Sequence, residues 1–94
     1  MKINICGIPY KVKYKNVLRE GDPGICEGCI DYSKQRIRLR KGMPKDIENE
    51  TLTHEIVHGI LQHLGYTDLC NDEGFVQAMA NGIAQSFEIK KIGD

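Results

Sequence analysis

The sequence predicts an α+β fold in which a small antiparallel sheet of three or four strands packs on two helices. Three observations carry that expectation. Apolar residues alternate singly through the first half of the chain, they recur at helical spacing from Asp46 onward, and Gly, Pro and Asn punctuate the changes. With 94 residues there is room for one compact domain, spanning 1–94.

The first strand pair is read from Ile3 and Ile5 alternating with Lys2 and Asn4, and from Val12 and Tyr14 alternating with Lys11, Lys13 and Lys15; Gly7, Ile8 and Pro9 form the turn between them. Beyond a loop containing Gly21, Asp22, Pro23 and Gly24, a second pair covers 25–32 and 35–41, where Ile37 and Leu39 alternate with Arg36, Arg38 and Arg40. A helix is expected from Asp46 to Leu64. Leu52, Ile56, Ile60 and Leu64 stack at four-residue steps, Val57 and Leu61 widen the stripe, acidic residues suit the N-terminal end, and Gly65 stands where a C-terminal cap belongs. A second helix is expected after Asn71 as N-cap, carrying Val76, Met79, Ala80, Ile83 and Phe87 on one face to about Ile89.

A hydrophobic fraction of 40% and a charged fraction of 28% are those of an ordinary globular protein. No apolar run is long enough to cross a bilayer, and the first residues lack the apolar core of a secretory leader, so a cytoplasmic setting with reduced cysteines is expected. Net charge is zero but divided. Up to Lys45 there are eleven Lys and Arg against four Asp and Glu; after it there are two against nine. Two oppositely charged faces in one domain explain this better than a nucleic-acid-binding module does, because the pI is close to 6.8.

His54-Glu55-Ile56-Val57-His58 is an HExxH run. Residues four apart share a helix face, so both imidazoles can reach one cation, and a glutamate beside it can take a proton from an activated water and return it to a leaving amine. All three histidines of the chain lie within ten residues, which argues against chance. Zinc suits two imidazoles and an oxygen ligand, and a catalytic zinc commonly has a third protein ligand. The metzincin continuation would need Gly and His where Leu61 and Leu64 stand. His63 lies about 140° around the helix from His58 and is the weaker candidate. Glu73, at the start of the second helix, is the stronger one, with Asp72 the nearest substitute; the alternative role for Glu73 is a first-turn acid that stabilises a helix N-terminus.

The run 51–60, TLTHEIVHGI, followed by 72–78, DEGFVQA, resembles the compact zincins encoded by phages and mobile elements, similar to the ImmA/IrrE metallopeptidase group. The resemblance extends to the preceding hairpins. It implies a zincin-like fold and a zinc-dependent endopeptidase of gluzincin-like ligation, with His54, His58 and Glu73 holding Zn2+, Glu55 as catalytic base, and a peptide or protein as substrate. A regulatory or binding protein that retains the fold without catalysis is the alternative.

Cys26 and Cys29 have the CxxC spacing of a possible second metal site, for which Cys6 and Cys70 are the candidate completing ligands; hairpin thiols of no special role are the simpler reading. Arg36, Arg38 and Arg40 read as a solvated strand face protecting a sheet edge or as a basic wall of the cleft that holds an acidic peptide or a nucleic-acid backbone. Tyr32 and Tyr66 are candidate donors to an oxyanion.

Overall fold

The computed structural model describes residues 1–16 and 27–93. Four strands, β1 (Lys2–Ile5), β2 (Ile8–Lys15), β3 (Gly28–Asp31) and β4 (Arg36–Arg40), precede three helices, α1 (Lys45–Leu64), α2 (Thr67–Cys70) and α3 (Glu73–Ser86). The strands form one sheet in the order β1-β2-β4-β3. The α+β class is as expected, but the sheet is mixed and not antiparallel. Both hairpins are antiparallel, yet β2 and β4 pair in parallel, with Lys11 opposite Arg36 and Lys15 opposite Arg40. Single alternation buries one face of a strand in either direction, so it holds no information on how two hairpins are joined.

The first turn is tighter than expected. Ile5 pairs with Ile8, and the two residues between them, Cys6 and Gly7, have φ of 52° and 80°. Left-handed backbone at both central positions matches the right-handed strand twist, and Gly7 takes it without strain. Ile8 and Pro9 therefore begin β2 and are not part of the turn. In the second hairpin the Asp31 carboxylate accepts from Ser33 Oγ (2.9 Å) and Lys34 N (3.0 Å), and these hydrogen bonds keep its pKa below the usual carboxylate range.

Helix α1 lies between two layers. Toward the sheet, Leu52 joins a core of Ile3, Ile5, Tyr10, Val12, Ile37 and Leu39, with Ile56 and Ile60 packed against it. Toward α3, Val57 meets Val76 and Ala80. Gly59 sets the distance to the sheet: a Cβ there would lie 3.0 Å from Ile5 Cδ1 and 3.2 Å from Ile30 Cδ1. The helix closes on Gly65 at φ 84°, with Gly65 N donating to Gln62 O (3.2 Å) and Tyr66 N to Leu61 O (2.9 Å), a Schellman closure.

The chain then turns back through α2, which the sequence pattern does not reveal. Asn71 ends α2, and the N-cap of α3 is Asp72, which accepts from Phe75 N at 3.1 Å. Asx residues at 71 and 72 both suit a cap, and the intervening turn of α2 decides between them. Helix α3 stops at Ser86, short of Ile89. Phe87 is extended and 70% exposed. No helix among the described residues is long and apolar enough to cross a membrane.

A Gly59→Val substitution tests the close approach. Helix propensity alone would favour replacing glycine, but overpacking against Ile5 and Ile30 is expected to destabilise the fold by about 1–3 kcal/mol. Urea unfolding should show a lower midpoint at unchanged slope.

Candidate metal centre

Two features of the chain bring the centre together. The helical repeat of α1 puts His54 and His58 on adjacent turns of one side, and the reversal through α2 brings the first residue of α3, Glu73, across to them. His58 Nε2 lies 3.2 Å from His54 Nε2 and 2.9 Å from Glu73 Oε1, while His54 Nε2 lies 3.2 Å from Glu73 Oε2. Atoms bound about 2.0–2.1 Å from a tetrahedral cation are about 3.3 Å apart, so the three groups already stand near three corners of such a site. They form the one group among the described residues that could hold a metal ion.

The surrounding hydrogen bonds decide what the two imidazoles present. Gln77 Nε2 donates to Asn81 Oδ1 at 2.8 Å, which turns Gln77 Oε1 toward His54 Nδ1 at 2.9 Å as an acceptor. Cys70 Sγ donates to the His58 carbonyl at 3.5 Å and is thereby placed to accept from His58 Nδ1 at 3.4 Å. With Gln77 Oε1 and Cys70 Sγ as acceptors, both rings can carry their proton on Nδ1 and turn Nε2 toward Glu73. Two imidazole nitrogens and a carboxylate that converge in this way could hold a metal ion. Burial holds the His58 pKa below its ordinary value despite the opposing pull of Glu73, which keeps the ring in the neutral, ligating form.

Glu55 follows His54 on α1 and is buried, 8% exposed. It lines a cleft of about 270 Å³ together with His54, Gln77, Glu50, Glu27 and Gly28. A carboxylate thus sits in a solvent-reaching cleft directly beside the candidate ligands. It is where a proton acceptor for a bound water belongs.

The other sequence candidates fall elsewhere. His63 turns toward the sheet and lies 2.6 Å from the Tyr10 hydroxyl, as its angle around the helix predicts. Asp72 is occupied as a helix cap. Tyr32 sits behind the centre with its hydroxyl 3.6 Å from Cys70 Sγ, and burial raises its pKa; Tyr66 is exposed beyond the end of α1. Neither lines the cleft. Of the CxxC pair, Cys26 lies outside the described residues, Cys29 is half-buried on β3, Cys6 is in the first turn, and Cys70 belongs to the histidine network.

The arginine readings are corrected in two respects. Strand β4 is interior, so Arg36, Arg38 and Arg40 do not protect a sheet edge. They alternate with Ile37 and Leu39, which face α1, and so occupy the opposite side of the sheet from the cleft. The charged residues that do line the cleft are the acids Glu27, Glu50 and Glu55.

Sequence reasoning missed the place of Gln77 beside His54, and it offered Cys70 only as a ligand of a second metal site and not as the neighbour of His58. Gln77 was accessible in principle, because it is one helical turn beyond Glu73 and shares its face. Cys70 carried no such signal, since its place depends on α2. Replacing Gln77 with Leu, which removes the acceptor for His54 Nδ1, should weaken binding of a divalent transition metal by about 10–100-fold in competition with a chromophoric chelator. No family model, curated protein or solved structure matches the chain.

Proposed function

We propose that this protein is a zinc-dependent metallopeptidase of zincin type, cytoplasmic and related to the compact enzymes of phages and mobile elements that its HExxH run resembles. The observation that carries the reading is the convergence of His54 Nε2, His58 Nε2 and the Glu73 carboxylate beside a cleft lined by Glu55. Two imidazoles and a carboxylate match a catalytic zinc site, which leaves a fourth position open. When bound, zinc supplies Lewis-acid polarisation of the scissile carbonyl and makes water acidic enough to lose a proton near neutral pH. Glu55 would accept a proton from a water whose oxygen adds to the scissile carbonyl carbon, and would return it to the amide nitrogen as the C–N bond breaks. Gln77 and Cys70 hold the imidazoles in the tautomer that ligation needs.

The sheet offers a place for the substrate. Arg40 N donates to Glu27 O at 2.9 Å, and hydrogen-bonded and non-bonded pairs alternate along an antiparallel ladder. Gly28 and Ile30 therefore direct their peptide groups away from β4, toward the outer edge, where no described strand pairs with β3. Gly28 also lines the cleft. An extended peptide can add to this edge by main-chain hydrogen bonds and pass its scissile bond in front of Glu55.

Glu55→Gln is expected to reduce peptide cleavage by roughly 10²–10⁴-fold while leaving zinc content at one per chain. Cleavage of a broad peptide library, with zinc measured by mass spectrometry on the same samples, checks both. Full zinc occupancy with no cleavage by the wild type would favour a regulatory protein that keeps the fold, and a folded chain that takes up no zinc would sink the mechanism.

A further inference from the structure

The side of the sheet turned away from α1 carries a charge pattern that the metal centre does not use. Strands β1, β2 and β4 contain no acidic residue, and their alternation sends every cation to this one face. The register brings them side by side. Lys11, Lys13 and Lys15 stand opposite Arg36, Arg38 and Arg40, and Lys2 stands opposite Lys11. Strands are about 4.8 Å apart and same-face residues about 6.7 Å apart along a strand, so β2 and β4 display two parallel rows of positive charge. On β3, Asp31 stands opposite Arg36 and offsets part of this charge. The cations of β2 and β4 face one another, and like charges directly opposite each other destabilise a sheet.

We propose that this face binds the phosphate backbone of nucleic acid, independently of base sequence. Two straight rows of regularly spaced cations suit a linear polyanion, and arginine pairs well with phosphate. The strand aromatics Tyr10 and Tyr14 face the opposite side, so the described residues of this face offer no platform for stacking bases, and contact is with the backbone. A bilayer is a poorer fit, because among the described residues of β1, β2 and β4 no large apolar side chain accompanies the cations on this face. A second copy is poorer still. Asp46, Glu48 and Glu50 lie on α1, and a contact of this face with that helix of a second copy is head-to-tail, which builds open chains rather than a closed dimer. The zero net charge of the whole chain averages over two sides of opposite sign and does not describe the field at this one.

The test is fluorescence anisotropy of a labelled 20-base-pair DNA duplex titrated with the full chain across a salt series. Contact with about five phosphates gives a slope of about −4.5 in log affinity against log salt, a fall of about 500-fold between about 50 and 200 mM. The triple substitution Lys11→Gln, Lys13→Gln, Lys15→Gln should make the slope shallower by about 2.7. Its thermal midpoint should stay level or rise, because repulsion has been relieved, and its metal affinity should not change. Absence of binding by the wild type at low salt would overturn the proposal, as would an unaltered slope in the triple variant. Tighter binding to vesicles containing phosphatidylserine than to the duplex would overturn it in favour of a membrane surface.

Discussion

Helix α1 has to bury two sides at once, and the rest of the molecule is arranged around that requirement. At about 100° per residue, Leu52, Ile56 and Gly59 point to the sheet, while Val57 and Leu61 point to α3. The direction left between them, on the side where sheet and α3 diverge, is that of His54 and His58. Glu55 falls between these ligands and the sheet, and so enters the cleft from the side where β3 begins. Gly59 is part of the same geometry. By admitting the helix close to Ile5 and Ile30, it keeps the turn that carries His58 close against the sheet. His63 shares the direction of Leu52, which is why it meets Tyr10 and not the other histidines.

The sequence was most legible where one periodicity had one consequence. The span of α1 and its closure at Gly65 follow from apolar spacing and one left-handed residue. The pairing of His54 with His58 follows from the helical repeat alone, and Glu73 from the shortness of the return to the next helix. What remained hidden depended on connections. The parallel contact of β2 with β4 arises from the route between the hairpins, and strand alternation is blind to it. The arginines were placed at an edge for the same reason. Helix α2 is four residues long, below the length at which periodicity can be read, and it moved the cap from Asn71 to Asp72 and put Cys70 behind His58.

The polar seam between α1 and α3 has a direction. It starts at Asn81, which accepts from Gln77, and passes through Gln77 to His54; on the other side Cys70 links Tyr32 to His58. The outer partners offer acceptors to the two Nδ1 atoms, and the two Nε2 atoms are left facing Glu73. A site that could hold a cation is thus assembled from two helices without a dedicated loop. Lowering the His58 pKa by burial serves the same end, because a proton would otherwise compete for the lone pair.

The seam also bears on how α3 is held. Its apolar contact with α1 rests on Val57, Val76 and Ala80, with Leu61 and Ile83 packed against them. Burial of a few side chains contributes only a few kcal/mol, and a chain of this length has little core to spare elsewhere. A cation held by His54, His58 and Glu73 would join Glu73 to α1 at the end of α3 beyond the reach of Val76 and Ala80. The group proposed to supply the chemistry would thereby also fasten the second helix to the first, and the cleft beside Glu55 would depend for its shape on the same three side chains.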